Sequence, residues 1–532
     1  QSLVIGFDLA LLSGGTGAST VEGNFKRTIG QLDGEFGLLF DEVSAQDIAN
    51  LSPEFGWLSV LEAPISGALR GSLSKNGKLN PVNATLKMGS GLLKPSSDIE
   101  GIAFNFNAAR TYFSYAPGSG ELSFDEIFID SADLRATAEG FLIIEDMRDI
   151  PETFVAQLNF TNLQTGGFGL LNNSISSNSA NTTFRVQLDP FDVEIPQLFI
   201  QDQNSSVSVH TDGFISVKDD NWVVSLNTHS DTADLDNVFY FWPQKHKPKI
   251  RKWVTEHFEY GKLSDISMQT ELENGLTPKL SWSFAFSETS FTPLKGFPLI
   301  EQASGHFVSR DYATTVILEE GIIFDDKGKA IDIAGSSFFI KDSRIKPSPA
   351  KILINADGAL SSMSKVLNKP PLRLMNKLQQ PVDFGNAQVS GKGRVEILLK
   401  SNLTSDEIFY EVKGTAKKFS SDLINPDFDI SNGTLDFFAD NKGIEIQGNA
   451  KVKNLPVKAR FSGAIEKDQA KFLEIDFNLS QQALEMLPFG MPELKISGSA
   501  PAQLYLKFLE SKKVKFELVS NLKGAELSYP PI

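Results

Sequence analysis

Apolar and polar residues alternate one by one over many short stretches of the chain. Phe184, Val186 and Leu188, for example, alternate with Arg185 and Gln187. A period of two is typical of a β-strand with one apolar face and one polar face. The clearest positions of this kind are our candidates for an apolar groove, and they are Ile102, Phe104, Phe106, Phe184, Val186, Leu188, Ile444, Ile446, Leu504, Leu506 and Phe508.

Turn signals separate these stretches, and helical periodicity is rare. Asn-Gly and Asp-Gly pairs predict hairpin turns, and they occur at Asp212-Gly213, Asn274-Gly275, Asp357-Gly358, Asn432-Gly433 and, with one inserted lysine, Asn441-Lys442-Gly443. A helical period predicts one clear helix over 248–259 and shorter helices from residue 45 and over 359–367, 372–378 and 481–487. Closely spaced strands with few helices between them predict antiparallel β-structure and no βαβ units.

Two arrangements can shield so many apolar strand faces when helices are scarce. Two sheets can cover each other as a sandwich, or one sheet can curve so that its apolar face receives an apolar ligand. Periodicity does not separate the two arrangements. The fold that we predict is all-β with a few short helices, in which a long antiparallel, highly curved sheet forms an elongated apolar groove.

Charge divides the chain into two regions. Residues 1–240 contain 12 Lys and Arg and 31 Asp and Glu, whereas the remaining residues contain 38 and 35. The change of sign predicts an acidic N-terminal segment over 1–235 and a second segment over 236–532. Since the net charge of the 532 residues is −16, a general nucleic-acid binder, which needs a basic face, is excluded. The sequence has 41 Phe against 8 Tyr and 5 Trp. Because Phe has no polar group, this excess indicates a large apolar surface that is shielded from water.

The sequence contains no recognisable catalytic or metal-binding motif. Cysteine is absent, and the five histidines have no metal-ligand spacing. The pair Asp325 and Asp326 reads as a turn, where Asp is favoured for backbone reasons. We therefore predict no enzyme activity, no catalytic residue, no metal and no cofactor.

One basic cluster stands beside two aromatic residues, Phe241 and Trp242. Such a cluster could contact anionic lipid headgroups, although a solvated loop leading into a helix is the favoured interpretation. Its members are Lys245, Lys247, Lys249, Arg251 and Lys252.

Neither terminus has the features of a processed or anchored protein. The chain begins at Gln1 without a signal-peptide pattern, and it has no uncharged apolar run of about 18 residues. We expect the sequence to be a piece of a longer protein.

Short motifs follow one another in a fixed order over most of the chain. The central series has an aromatic–Pro start, an Arg-x-Trp helix and a Pro-rich strand before a Gly-led hairpin. It consists of Phe241-Trp242-Pro243, Arg251-Lys252-Trp253-Val254, Gly261, Pro293, Pro298-Leu299 and Ala303-Ser304-Gly305. Further segments of the series are Pro64-Ile65-Ser66-Gly67, Gly89-Ser90-Gly91, Gly358-Ala359-Leu360, Lys369-Pro370-Pro371-Leu372 and Gly524 to Pro531. In this order, the motifs resemble the AsmA-like proteins of the YhdP type.

The resemblance implies a function that the motifs themselves do not. AsmA-like proteins have an inner-membrane anchor and a long periplasmic β-body, and they are similar to bridge-like lipid-transfer proteins. The expectation is a non-catalytic protein of the bacterial envelope that carries phospholipid along an apolar groove between the inner and outer membranes. It would be periplasmic and anchored to the inner membrane by a segment outside this chain. The alternative is a structural or adhesive β-sandwich without a ligand.

Overall fold

The computed structural model describes most of the chain. The described residues are 1–12, 18–50, 58–94, 104–145, 153–166, 174–188, 190–205, 207–218, 221–242, 248–273, 276, 279–293, 297–370, 373–377, 383, 385–400, 403–404, 407–422, 429–464, 470–487, 493–509 and 514–529. Among them, no helix is both long enough and apolar enough to cross a lipid bilayer.

The prediction of an all-β fold with one long antiparallel sheet and a few short helices is confirmed. The main sheet has 29 strands, and two further sheets have two and three strands. The first strands are β1 Ser2–Leu12, β2 Ala18–Thr28, β3 Gly34–Ser44, β4 Leu61–Glu62, β5 Pro64–Leu73, β6 Val82–Met88, β7 Gly91–Leu93, β8 Phe104–Phe106, β9 Ala108–Ala116, β10 Glu121–Asp130, β11 Leu134–Glu145, β12 Thr153–Thr165, β13 Ile175–Ser177, β14 Ser179–Gln187, β15 Asp192–Gln201, β16 Ser208–Lys218, β17 Asn221–Asp234, β18 Phe258–Glu273 and β19 Lys279–Phe291.

The remaining strands and the helices follow in chain order. The strands are β20 Ile300–Arg310, β21 Ala313–Phe324, β22 Ala330–Asp332, β23 Ser337–Ile340, β24 Ser348–Ala359, β25 Asn386–Leu399, β26 Phe409–Ser421, β27 Ile430–Asp440, β28 Gly443–Val452, β29 Leu455–Ala464, β30 Lys471–Leu479, β31 Lys495–Gly498, β32 Ala500–Phe508, β33 Val514–Ser520 and β34 Ala525–Ser528. The helices are α1 Ala45–Ala49, α2 Leu235–Phe241, α3 Pro248–His257, α4 Leu360–Leu367, α5 Leu374–Lys377 and α6 Gln481–Met486.

The predicted helices form close to their expected positions. The helix over 248–259 is α3, and the shorter ones are α1, α4, α5 and α6. At the start of the first helix, the Ser44 side chain makes no capping hydrogen bond. The seven residues of α2 were not predicted, because so short a segment gives no clear helical period.

The chain divides into two compact units. One comprises Gln1–Trp253 and Leu263–Phe284, and the other comprises Val254–Lys262 and Ala285–Ile532. This division falls later in the chain than the boundary between 235 and 236 that charge predicts. The division by backbone contacts differs from the division by charge, because backbone contacts depend on which strands pair, whereas charge depends on the composition of the surface.

In the second unit, the register places apolar side chains opposite one another across six strands, β27 to β30, β32 and β33. Residues directly opposite in an antiparallel pair lie on the same face. One row consists of Phe437, Ile446, Phe461, Leu473, Leu506 and Phe516. The adjacent row, on the other face, consists of Asp436, Gln447, Arg460, Glu474, Tyr505 and Glu517. We call these two faces the apolar face and the polar face.

The first unit has the same separation with a less strict polar face. One row on its apolar face consists of Val82, Tyr115, Leu122, Leu142, Ala156 and Phe184. The row beside it, on the other face, consists of Asn83, Ser114, Ser123, Phe141, Gln157 and Thr183. Each unit therefore has one sheet face on which apolar side chains predominate.

The helices occupy one end of the strands within each unit. In the first unit, α1 and α2 follow β3 and β17, which both run toward this end. In the second unit, α4 follows β24 and α6 follows β30, which also run in parallel directions within the antiparallel order. The small sheet β4–β7–β8 and the pair β31–β34 connect to the same ends. We call this the helical end and the opposite end the helix-free end.

Three of the predicted hairpin turns lie inside strands, so these predictions are wrong. Asp212-Gly213 lies in β16, Asp357-Gly358 in β24 and Asn432-Gly433 in β27, where the register shifts between Ser431 and Thr434. The turn at Asn441 is confirmed, since β27 ends at Asp440 and β28 begins at Gly443. The pair Asn274-Gly275 lies outside the described residues.

Glycine bends explain why turn-like dipeptides occur within strands. A Cβ at Gly213 would lie 2.0 Å from the carbonyl oxygen of Ser225, and one at Gly448 would lie 2.0 Å from that of Thr434. The φ angles of Gly213 and Gly448 are 150° and 159°. A glycine in a strand permits close approach of the neighbouring backbone and local bending of the sheet. The Asp-Gly and Asn-Gly pairs within these strands therefore mark bends of the sheet and not hairpin turns.

We expect Gly448→Ala to destabilise the protein by about 2 kcal/mol or more, because the methyl group would displace the backbone of β27. Gly118→Ala is the matched control, since no atom lies within 4 Å of a Cβ at that glycine. Urea unfolding followed by circular dichroism measures both free energies. Equal stability of the two variants would contradict the assignment of Gly448 as an obligatory bend.

Candidate functional site

The apolar face of the second unit brings together five of the groove candidates. Ile446 and Leu506 lie in one row, and Leu504 lies in the row on its helical side. Ile444 and Phe508 belong to the row on the helix-free side. All five point to one face, as their alternation predicts. Leu504 is buried, and the other four are half-buried.

Burial on this face decreases away from the helical end. Near α6, Phe477, Leu479, Leu484 and Ile496 form a buried cluster with exposures of 9% or less. Toward the helix-free end and the last strand, the side chains are half-buried, and Phe516 is 51% exposed. Apolar side chains in a closed core are normally fully buried. The uncovered part of the face is therefore a surface that an apolar ligand can contact.

Within the described part of the chain, the sheets other than the main one are small. They are the two-stranded β31–β34 and the three-stranded β4–β7–β8. Ile496 of β31 packs into the buried cluster beside α6, so this sheet covers the helical end only. A second large sheet, which a sandwich would need, is not found among the described residues.

The groove candidates of the first unit separate into two groups. Phe184 and Val186 lie on β14, half-buried, opposite Ala156 and Phe154 of β12, and Leu188 follows in the next turn. Phe104 and Phe106 lie on β8, which does not belong to the 29-stranded sheet.

The β8 residues contribute to a closed local core. Phe106 is 5% exposed and packs with Ala45, Leu61, Ala63 and Ile65, and Phe104 packs against the same cluster. They therefore lie where α1 and the small sheet cover the helical end. Ile102 lies outside the described residues.

An open cavity of about 960 Å³ lies along the strands of the second unit. Its lining includes polar-face residues such as Phe438, Glu445, Arg460 and Tyr505. It also includes all six members of the apolar row from Phe437 to Phe516. Among the charged groups, the Arg460 guanidinium lies 3.8 Å from Glu474 and 3.4 Å from Asp476. Residues of both faces therefore border this cavity.

The basic cluster is only partly described. Lys245 and Lys247 lie outside the described residues, and Lys249 lies in α3 without a described side chain. Arg251 donates a hydrogen bond to the carbonyl oxygen of Phe239 (3.1 Å) and stacks over its ring. Lys252 is exposed. Arg251 therefore joins α3 to α2, and contact of this cluster with anionic headgroups stays a prediction.

Asp325 is the carboxylate most strongly held by its surroundings. Its side chain is 1% exposed and accepts hydrogen bonds from the backbone N–H groups of Lys327 and Lys329 and from the Ser362 hydroxyl, each at 2.9 Å. These donors, above all the Lys329 N–H, lower the pKa of Asp325 to about 2 despite its burial. The contacts join the turn after β21 to α4, which is a structural role.

No group of three or more His, Asp or Glu side chains within the described residues could hold a metal ion. The carboxylates whose pKa values are clearly lowered, Asp325, Asp342 and Glu407, owe this to hydrogen bonds within their own turns or to an adjacent helix. Such groups stabilise loops.

Comparison with known proteins identifies no relative. No protein-family model matches the chain, no curated protein matches it, and no solved structure matches it. The AsmA-like resemblance therefore stays a prediction.

Sequence reasoning missed several members of the apolar face. Phe437, Phe461, Leu473 and Phe516 complete the row that contains Ile446 and Leu506. Each alternates with polar neighbours, so the signal was present in the sequence. What the sequence did not give was the register that brings them into one row.

We expect Asp325→Asn to lower the free energy of unfolding at pH 7 by about 1–3 kcal/mol, the cost of disrupting a buried hydrogen-bonded carboxylate. Because the folded-state pKa of about 2 lies below the unfolded value of about 3.9, the carboxylate stabilises the fold above pH 4. That contribution is lost as the pH falls from about 4 toward 2. The difference between wild type and variant should therefore shrink over this range.

The control is Asp326→Asn. Asp326 is 75% exposed and forms an ion pair with Lys369 at 3.4 Å, and such surface pairs contribute little. Urea unfolding at pH 7, 4 and 2 measures all three proteins. Equal losses for the two variants at pH 7 would contradict the role of Asp325.

Proposed function

We propose that the protein is a non-catalytic lipid-binding and lipid-conducting protein of the bacterial envelope, which carries phospholipid along its apolar sheet face. The observation that carries the proposal is the row from Phe437 to Phe516. The pairing of six strands brings these apolar side chains onto one face, where five of the six are half-buried and Phe516 is exposed.

The energetics of lipid transfer explain what such a face provides. Each CH₂ group of an acyl chain costs about 0.8 kcal/mol when it is exposed to water. A face formed by Phe, Leu and Ile at every second position can offset this cost without a chemical step. Because each strand contributes similar apolar side chains to this face, a bound acyl chain could move from one strand to the next with little change in free energy.

The cellular setting of the proposal comes from the AsmA-like resemblance. From this resemblance we propose that the protein is periplasmic, that a segment outside this chain anchors it to the inner membrane, and that phospholipid moves between the inner and outer membranes. The competing proposal is a structural or adhesive sandwich without a ligand. The half-buried apolar row supports the lipid-binding proposal over this alternative, because a filled sandwich core would bury those side chains fully.

We expect Leu473→Glu to reduce the phospholipid that co-purifies with the protein by several-fold, since a carboxylate on the apolar face must be desolvated to accept an acyl chain. Phe472→Glu is the matched control. Phe472 is the neighbouring residue on the polar face and is 49% exposed. Mass spectrometry after gentle extraction measures bound lipid, and uptake of a fluorescent phospholipid from vesicles measures transfer.

The control variant should bind and transfer lipid like the wild type. Circular dichroism establishes that both variants fold. A wild-type protein that neither contains lipid nor takes it up would refute the proposed function. Equal binding by wild type and Leu473→Glu would move the lipid site away from this row.

A further inference from the structure

Charged side chains are almost excluded from the apolar face, and the exceptions have one sign. Over the described registers from β1 to β17 and from β20 to β33, each unit has one charged residue on this face. In the first unit it is Arg27, opposite Leu3 and Gly34. In the second unit it is Lys471, opposite Phe508. Both are cations, and no carboxylate occupies a paired position on the face.

The two cations occupy equivalent places along their strands. Arg27 is the second-last residue of β2, and Lys471 is the first residue of β30. Both positions are at the helix-free end of the strands. The opposite end contains α1, α2, α4 and α6 and the buried clusters around Ile65 and Phe477.

Several arginines of the polar face form ion pairs, whereas the side chains of Arg27 and Lys471 form none with another described residue. Arg110 lies 2.6 Å from Glu126, and Arg185 lies 2.9 Å from Glu145. Neither of these two side chains donates a hydrogen bond to another described residue. Lys471 is half-buried, and its Cγ lies 3.3 Å from a Cβ position at Gly463. Its stem therefore lies along the apolar face, where a charged head is costly without a partner.

We infer that the ligand of the apolar face is an anionic phospholipid, oriented with its headgroup at the helix-free end and its acyl chains directed toward the helical end. This inference rests on the proposed function. A phosphate at Arg27 or Lys471 would form a charge-assisted hydrogen bond, while the acyl chains cover Phe461 and Leu473 in the adjacent row. The absence of carboxylates from the face removes repulsion of that phosphate.

The charge preference is tested with the full chain and two kinds of vesicle, one of phosphatidylglycerol and one of phosphatidylcholine. Wild-type protein should take up phosphatidylglycerol about fivefold more strongly, the ratio that one cation near an anionic group provides. The double variant Arg27→Met and Lys471→Met should take up both lipids alike. Inorganic phosphate at millimolar concentration should not displace the lipid.

The matched controls are Lys26→Met and Lys507→Met. Lys26 precedes Arg27 on the other face of β2, and Lys507 lies on the polar face opposite Phe472. Both controls should keep the wild-type preference. If they lose it as the double variant does, the preference is a general effect of net charge and the inference fails. Displacement by phosphate alone would also overturn it, since an ion site would need no acyl chain.

The orientation is tested separately by spin labels, since the chain has no native cysteine. Lys442→Cys places a label in the turn at the helix-free end of β28, and Lys453→Cys places one at the helical end of the same strand. The ten residues of β28 separate the two labels by about 30 Å. A headgroup-labelled phosphatidylglycerol should lie nearer to position 442, and a nearer approach to position 453 would overturn the orientation.

These outcomes separate the inference from the proposed function. Uptake of both lipids with equal strength by the wild type refutes the charge preference and leaves lipid conduction standing. Uptake of neither lipid refutes both.

Discussion

Strict alternation of side chains along hydrogen-bonded strands is the constraint on which the rest of the structure depends. Successive residues of a strand point to opposite faces of the sheet. Residues directly opposite in two paired strands point to the same face, so the register determines the face for the next strand as well. Since Phe437 and Ile446 are opposite, and Ile446 and Phe461 are opposite, one face stays apolar from strand to strand. The polar face, with Arg460 and its carboxylate partners, is the necessary counterpart.

A sheet with one apolar face must either cover that face or leave it available. The chain does both, at different ends of the strands. At the helical end, α6 and β31 complete a buried cluster with Phe477, whereas half-buried side chains continue toward Phe508. The packed end stabilises the fold, and the uncovered part supports the lipid proposal. Glycine bends such as Gly448 let the backbone of one strand approach the next closely without disturbing the alternation.

Local pattern predicted the strands and most helices because each depends on neighbours in sequence. Ile444 and Ile446, and Leu504 and Leu506, lie on strands with the expected face. Phe104 and Phe106 have the same alternation, but belong to a small sheet in a closed core, since alternation does not encode which strands pair. For the same reason, the pair Asp212-Gly213 does not by itself distinguish a hairpin turn from a bend within a strand. Lys471 shares the parity of Leu473 and Ile475, but its significance requires the register with Phe508.

The β-bulge in β10 has a consequence for how such a chain can change length. Between Phe124 and Ile127 the strand has one residue more than its partner segment between Phe113 and Thr111. Inserting one residue into a regular strand would turn every later side chain to the wrong face. The bulge absorbs the extra residue locally, so Phe124 and Ile127 both remain on the apolar face. Length changes in this fold should therefore accumulate at connections and bulges, while regular strands diverge by substitution alone.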